Sequence, residues 1–208
     1  MRPTIIWAIR HGQTASNRVG RIQGQTAVTL DDVGVAQAEA LRPVLQQLPW
    51  TQAISSDLER AAQTARLALG DDAARLTLDP SLRERGLGEL EGKHYSELDP
   101  TVRAALIEGV GRLDGVEGGE TTAAFRARCV AALEALGARR GERIAVFTHG
   151  GVLRHWFAHV VGLSPEASLR AFSTTNASVN TLHLTERGWR LQSWGVVAHL
   201  EALGYLPH

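Results

Sequence analysis

Apolar runs and helical spacings alternate along this 208-residue chain. Ile5 to Ile9 is an unbroken apolar run, and Arg143 to Phe147 carries a second one. Such runs are typical of strands that are buried on both faces of a parallel sheet. Shorter strands are predicted at 53–54, 76–78, 178–184 and 190–194.

Helical periodicity fills the segments between these strands. Apolar residues recur at helical spacing from Ala36 to Leu48, where Pro43 predicts a kink or a break. Ser56 and Glu59 have the spacing of a capping box, which predicts the start of the next helix. Further helices are predicted over 96–107, 121–136 and 152–161. The alternation indicates one domain over 1–208, a three-layer α/β/α sandwich with a mostly parallel central sheet.

Three segments follow neither pattern. His11 to Thr29 is rich in glycine and polar residues, and Arg83 to Gly92 is interrupted by glycines, so both are predicted to be loops. Gly109 to Gly119 is predicted to be flexible. The walls of any pocket are expected from 86–119 and from the loop at 163–176, neither of which has a decodable pattern.

The overall charge excludes some classes of partner. Acidic and basic residues number 22 each, so no net field favours nucleic acid or an anionic membrane.

The N-terminal apolar stretch is broken by Arg10 and His11, which makes it too short for a signal peptide or a membrane span. The single cysteine, Cys129, fits a reducing cytoplasm, and its helical spacing predicts a core side chain rather than a catalytic thiol.

Both long apolar strands end in the same kind of motif. Arg10-His11-Gly12 follows the first strand, and Thr148-His149-Gly150 follows the second. Ligands of open parallel sheets bind beyond the carboxyl ends of the strands, so neighbouring strands would bring these imidazoles face to face. Glycines allow close backbone approach, and the N-termini of helices offer free N–H groups to an anion.

Arg60 adds a second guanidinium to this edge of the sheet, because it lies in the first turn of the helix after the short strand at 53–54. Guanidinium groups match phosphate oxygens bidentately and keep their charge at any relevant pH. Each residue alone has an ordinary structural explanation, but their coincidence at one edge predicts a phosphate-binding site.

Two other histidines have the spacing of a zinc pair. His155 and His159 are four residues apart on a predicted helix, but no glutamate lies between them and no third ligand is evident. Packing or exposure is therefore the preferred explanation for both. His199 has no assigned role.

Several segments, in this order, resemble the histidine phosphatase superfamily in its phosphoglycerate-mutase-like branch. The segments are Arg-His-Gly-Gln-Thr at 10–14 with Asn17, Gly-Arg-Ile-Gln-Gly at 20–24, Ser-Ser-Asp-Leu-Glu-Arg at 55–60, the acid loop at 82–92, Gly-Gly-Glu-Thr at 118–121 and Thr-His-Gly-Gly at 148–151. The resemblance runs the length of the chain.

This resemblance implies a role for each matched residue. His11 would be the nucleophile that forms a phosphohistidine, and Glu84 would protonate the leaving group and then activate water. The remaining residues would bind the phosphoryl oxygens: Arg10, Arg60 and His149 as the catalytic donors, with Asn17, Gln23, Gly24 and Gly150 as further contacts. The resemblance implies no metal ion and no cofactor.

Three functions fit these motifs: a phosphatase of small phosphorylated metabolites, a phosphoglycerate mutase, and a non-catalytic phosphate-binding regulatory module. Retention of the catalytic residues disfavours the last. Family mutases carry a lysine and an adjacent arginine pair after the acid loop, whereas this chain has Lys93, Arg103 and Arg112 singly. The phosphatase is therefore preferred. Neither the substrate nor the oligomeric state is indicated.

Overall fold

The computed structural model of the chain describes residues 2–108, 113–164, 167 and 172–204. The strands are β1 (Thr4–Arg10), β2 (Gln52–Ser55), β3 (Leu76–Leu78), β4 (Arg143–Thr148), β5 (Val179–Thr185) and β6 (Gly188–Val196). Within the described residues these six form one sheet in the order β3-β2-β4-β1-β5-β6. The first four are parallel, and β5 and β6 are added antiparallel at one side.

Helices cover both faces of this sheet, as the sequence predicts. They are α1 (Ala15–Val19), α2 (Asp32–Ala40), α3 (Arg42–Gln47), α4 (Glu59–Leu69), α5 (Pro100–Glu108), α6 (Thr122–Gly137) and α7 (Gly150–Val161), and 3₁₀ turns lie at 70–75, 80–82, 88–90, 95–97 and 198–203. None of the helices in the described residues is long and apolar enough to cross a bilayer.

The alternation of side chains along β1 explains its unbroken apolar run. Ile6 and Ala8 pack into the core formed with α6 and α7, whereas Trp7 and Ile9 pack into the core formed with α3 and α4. A strand that is covered on both faces needs apolar residues at every position. The predicted three-layer α/β/α arrangement is confirmed.

A third, smaller apolar cluster lies beside the carboxyl edge of the sheet. It joins Ile22, Leu90 and Leu98 to Ala105 of α5 and to Leu113. It brings the acid loop and α5 together over the ends of the strands. This cluster shapes the outer wall of the site described below.

The predicted break at Pro43 is confirmed, because α2 ends at Ala40 and α3 begins at Arg42 with the proline in its first turn. The polar stretch at 11–29 contains α1, a helix that the sequence analysis missed. Residues 109–112 of the flexible segment lie outside the described residues, as do 165–166 and 168–171 of the loop at 163–176.

The predicted capping box of α4 is wrong. The N-cap residue is Leu58, and the helix start has no side-chain cap. The Ser56 hydroxyl accepts a hydrogen bond from the Leu58 N–H at 3.2 Å and contacts His149. A tertiary contact thus takes the side chain that the local pattern assigns to the cap.

Candidate active site

A cavity of about 380 Å³ opens at the carboxyl ends of the central strands. All the predicted site residues except His149 line it: Arg10, His11, Asn17, Gln23, Gly24, Arg60, Glu84 and Gly150. His149 is fully buried beside it, and its ring centroid is 5.2 Å from that of His11. The two imidazoles meet because β1 and β4 are neighbours, with Arg10 paired to Thr148.

His11 is held in one tautomer by the backbone. Its Nδ1 lies 2.7 Å from the carbonyl oxygen of Gly12. A carbonyl can only accept, so Nδ1 carries the proton and Nε2 keeps its lone pair. Burial, together with Arg60 and Arg10, places the pKa of His11 well below its ordinary value. The ring is therefore neutral at physiological pH, as a nucleophile requires.

His149 makes its hydrogen bond with Ser56, whose Oγ lies 2.8 Å from Nε2. The Ser56 oxygen accepts from the Leu58 N–H, and its hydroxyl can donate to Nε2 in one of the two tautomers that fit this contact. Nδ1 then carries an N–H, and this buried atom has no partner in the described residues. Burial, then Arg60, lowers the pKa of His149, so this donor is neutral.

Two guanidinium groups lie beside these rings. Arg60 is 1% exposed and donates to the carbonyl oxygens of Gly24 at 2.7 Å and Thr26 at 3.2 Å. Arg10 donates to the Thr174 carbonyl. Burial lowers the pKa of each to about 10, which leaves both charged at neutral pH. The Nε atoms of both are buried without a partner in the described part of the chain. Burying an N–H donor without an acceptor costs free energy, so this arrangement is suited to a bound anion that accepts from both groups.

Asn17 and Gln23 both line the cavity. Their side-chain oxygens both accept from Thr14, Asn17 Oδ1 from its N–H at 3.2 Å and Gln23 Oε1 from its hydroxyl at 3.0 Å. Thr14 is also the N-cap of α1. Thr14 thus fixes the oxygen ends of both amides, which leaves their N–H₂ groups to donate to other partners.

Close packing requires glycine at two of the predicted contacts. Gly24 has a φ of 50°, and a Cβ there would lie 2.0 Å from Glu91 Oε1. Gly150 begins α7, and a Cβ there would lie 2.9 Å from the Thr174 hydroxyl and 3.4 Å from Arg10 Nε. Backbone N–H groups at the start of α7 are suited to anion binding.

Glu84 reaches the same helix start from the acid loop. Its Oε2 accepts from the Gly151 N–H at 2.9 Å, and its Oε1 accepts from the Arg85 N–H at 2.9 Å. A Cβ at position 151 would lie 2.1 Å from Oε1. Residue 151 must therefore be glycine for the carboxylate to sit next to the phosphate-binding groups.

Side chains of α6 and its N-terminal extension hold the acid loop. Arg128 donates to the carbonyl oxygens of Arg83 at 2.7 Å and Glu84 at 3.2 Å, and it pairs with Glu120 at 2.6 Å. Glu120 in turn accepts from the Gly86 N–H at 2.8 Å. The Gly-Gly-Glu-Thr segment therefore does more than open a helix, because its glutamate also fixes the loop that carries Glu84.

Residues 6–197 match the model of the histidine phosphatase superfamily, branch 1. The chain belongs to this superfamily. A metal-independent phosphoserine phosphatase of Arabidopsis thaliana is 36% identical over 209 residues, which cover 98% of this chain and 86% of the relative. Phosphoglycerate mutase-like protein 4 of the same plant is also 36% identical, over 97% of this chain and 89% of its own.

Among solved structures, a mycobacterial glucosyl-3-phosphoglycerate phosphatase is similar, with 29% identity and a TM-score of 0.79 over 94% of this chain and all of its own. Phosphatases of this superfamily are thus similar to the chain in both sequence and fold. The chain is a phosphoric monoester hydrolase.

One residue behind His11 was not predicted from the sequence. The Asn176 amide donates to the carbonyl oxygens of His11 at 2.9 Å and Gly12 at 3.2 Å. The Gly12 carbonyl is the one that fixes the tautomer of His11. Asn176 therefore helps to hold that carbonyl, and it lies just before β5, which pairs antiparallel with β1.

Arg154 is the second residue that was missed. It lines the cavity from α7, five residues after His149, and its Nε is buried without a partner in the described residues. The sequence signal was its position about one turn beyond the motif at 148–151, on the helix that starts at the site.

The remaining candidates have the structural explanations that the sequence favoured. His155 packs edge-on against Phe125, and burial lowers its pKa to about 4. His159 lies 2.9 Å from Glu134. Cys129 is fully buried, which raises the pKa of its thiol. No group of three or more potential metal-binding side chains occurs among the residues that the structure describes.

Proposed function

We propose that the chain, acting as one domain over 1–208, hydrolyses phosphate monoesters of small metabolites through a phosphohistidine on His11. One observation carries this proposal. Three buried nitrogens without partners among the described residues, Nε of Arg10 and Arg60 and Nδ1 of His149, belong to side chains grouped around His11. A phosphoryl group has three oxygens that could accept from them.

The first half-reaction transfers the phosphoryl group to the enzyme. The Nε2 lone pair of His11 attacks phosphorus, and the bond from phosphorus to the ester oxygen breaks. Glu84, protonated at this stage, gives its proton to the departing oxygen. Arg10, Arg60 and His149 bind the equatorial oxygens, where charge spreads in the transition state. The side-chain amides of Asn17 and Gln23 and the backbone of Gly24 and Gly150 supply the neutral contacts.

The second half-reaction releases phosphate. Water attacks the phosphohistidine, and Glu84, now a carboxylate, takes the proton from that water. The bond from His11 Nε2 to phosphorus breaks, and the lone pair returns to the ring. Glu84 ends protonated, as it began, so the cycle consumes only water and the ester.

Trapping the intermediate tests this proposal. Rapid quench of the wild-type enzyme with a ³²P-labelled aryl phosphate should yield a phosphoenzyme that is labile in acid and stable in base, as phosphoramidates are. Peptide mapping should place the label on His11. Label on a serine or cysteine, or turnover with no protein-bound phosphate at single-turnover times, would refute the proposal.

Activity is expected to survive removal of divalent metals. Two guanidinium groups and a histidine supply the charge and donors that Mg²⁺ gives other phosphoryl-transfer sites. Rates on p-nitrophenyl phosphate should be unchanged after exhaustive dialysis against EDTA. A loss of rate that added Mg²⁺ or Zn²⁺ restores would show that a metal takes part.

Hydrolysis is expected to exceed phosphoglycerate mutase activity. A mutase must keep a bisphosphorylated intermediate away from water and needs cationic anchors near the acid loop. Near the acid loop the sequence has the single cations Lys93, Arg103 and Arg112, of which Arg112 lies outside the described residues. The adjacent pair at 139–140 lies at the opposite edge of the sheet, where Arg139 donates to Gln52 at the start of β2.

The measurement uses 3-phosphoglycerate with a trace of 2,3-bisphosphoglycerate and follows 2-phosphoglycerate and free phosphate together. Phosphate release should be the faster process. Interconversion much faster than phosphate release would make the chain a mutase with the same catalytic residues.

We also propose a cytoplasmic location. Support comes from Cys129, the single cysteine of the sequence, which packs in the core and has no possible disulfide partner within the chain. Such cysteine use fits a reducing compartment. Fractionation of cells that express the chain tests the proposal, and recovery outside the cytoplasm would overturn it.

A further inference from the structure

Arg154 has no task in the proposed phosphoryl transfer. It lines the cavity, and the described residues provide no hydrogen bond or ion pair for its guanidinium. Arg10 and Arg60 differ, because each also donates to backbone carbonyls. Burial lowers the pKa of Arg154, so its charge is partly removed from water, and the charge of Glu84 acts in the opposite direction. A partly desolvated cation without a partner indicates a missing anion.

The other cations of the cavity wall already have partners. Arg21 donates to the Gly92 carbonyl at 2.8 Å. Arg85 pairs with Asp114 at 3.2 Å and donates to the backbone of Glu120. Within the described wall, Arg154 is therefore the guanidinium that remains for a ligand outside the phosphoryl centre.

The charges of the cavity indicate how much negative charge this ligand group carries. Five arginines among the described residues line the cavity, of which Arg21 is exposed to water and Arg85 is paired with Asp114. The other three, Arg10, Arg60 and Arg154, bring three positive charges. A phosphate monoester brings about two negative charges at neutral pH, and Glu84 is uncharged when it acts as the acid. One positive charge is left, which a single carboxylate would neutralise. A second phosphate would exceed it.

The surroundings of Arg154 agree with an oxygen ligand. Tyr95 lines the same cavity as Arg154. Burial raises the pKa of its hydroxyl, so the hydroxyl is a neutral donor. Neighbouring wall residues are apolar and can contact the carbon skeleton of a small ligand: Leu87, Leu106, Leu113 and Phe125.

We infer that Arg154, assisted by Tyr95, binds a carboxylate on the alcohol half of the substrate. Preferred substrates are then phosphomonoesters of hydroxy acids or hydroxyamino acids. The planar guanidinium can bind both oxygens of a carboxylate, which a lysine cannot do. This inference rests on the proposed function, since it assumes that the phosphoryl group lies at His11.

A matched pair of substrates isolates the carboxylate. O-phosphoserine and O-phosphoethanolamine differ only in that group. The readout is the ratio of their kcat/KM values, measured on the same enzyme preparation. Inactive or unfolded molecules reduce both values equally, so the ratio does not depend on how well a variant folds.

Wild-type enzyme should prefer phosphoserine, and Arg154→Met should lower the ratio by about 10- to 100-fold, the usual effect of a hydrogen bond between charged groups. The ratio for Arg154→Lys should lie between those of the wild type and Arg154→Met. Tyr95→Phe should lower the ratio by a smaller factor than Arg154→Met does. The control, Arg190→Met, removes an exposed arginine of β6 and should leave the ratio unchanged.

An unchanged ratio in Arg154→Met would overturn the inference, even if both rates fall, because Arg154 would then act on Glu84 or on the fold. A wild-type enzyme without preference would overturn it too. Failure of the proposed function would look different, because the wild type would then form no phosphoenzyme from an aryl phosphate. A second pair, 3-phosphoglycerate and glycerol 3-phosphate, should give the same ranking.

Discussion

His11→Ala is expected to lower kcat for every phosphomonoester by at least about 10⁴-fold, the order of loss found when a covalent nucleophile is removed. The Nδ1 of His11 is bonded to the Gly12 carbonyl, which leaves the Nε2 lone pair for attack, whereas Nε2 of His149 is bonded to Ser56. Steady-state rates on p-nitrophenyl phosphate, together with the quench experiment, measure the loss. The variant should form no phosphoenzyme.

The control is His159→Ala, the same substitution at an exposed histidine of α7 that contacts Glu134. This variant should retain wild-type rates. The His11 variant should still bind inorganic phosphate in calorimetry, because its guanidinium groups and His149 are unchanged. If the His11 variant turned over substrate within 100-fold of the wild-type rate, His11 would not be the nucleophile. If the variant lost phosphate binding, the substitution would have damaged the pocket.

Glu84→Gln should have the second largest effect, and its size should depend on the leaving group. Hydrolysis of alkyl phosphates should fall by about 10²–10⁴-fold, the range of general acid catalysis. Glutamine keeps the size of the side chain but cannot deliver a proton to the alkoxide. Aryl phosphates should lose less in the first step, because a phenolate leaves with little help. Pre-steady-state kinetics with both classes measure the two losses.

Glu89→Gln is the matched control, since Glu89 is an exposed carboxylate on the same loop. Its rates should stay near wild type for both classes. Equal losses for alkyl and aryl phosphates in the Glu84 variant would contradict the acid role. They would mean that Glu84 positions the substrate or that release of the phosphohistidine limits turnover.

The central sheet and much of the site could be predicted because the signals are local. An unbroken apolar run followed by Arg-His-Gly specifies a buried strand and its end at once. The same holds for the run that ends at His149. Adjacency of β1 and β4 was only assumed, because apolar runs place both strands inside the sheet without fixing their order, and the structure shows that they are neighbours.

Contacts between distant segments could not be read from the sequence. Ser56 fits a helix cap by its spacing, but a buried imidazole 93 positions away competes for the same hydroxyl. Asn176 reaches the nucleophile loop across 165 positions. Neither pairing has a periodic signature, because it depends on the order of the strands in the sheet.

Two unpredicted features have local signals in the sequence. Thr14 and Asn17 have a capping spacing, and Gly20 follows at the distance of a C-terminal cap, which together indicate α1. Arg154 is the basic residue that follows the second histidine motif on its helix. A basic side chain so close to the start of a helix at the site is a candidate contact for a ligand.

Arg128 and Glu120 attach the acid loop to α6, so the loop and the strand ends of the site differ in local stability. His11 and His149 end central strands, whose exchange-competent opening requires disruption of the main core. Glu84 is retained by hydrogen bonds from α6, which can break while the sheet stays closed. In native-state hydrogen exchange, 83–92 should therefore open as a separate cooperative unit, below the global unfolding free energy. In that open form the phosphate cradle persists without its proton donor, so mild urea should abolish alkyl phosphate turnover before it abolishes phosphate binding.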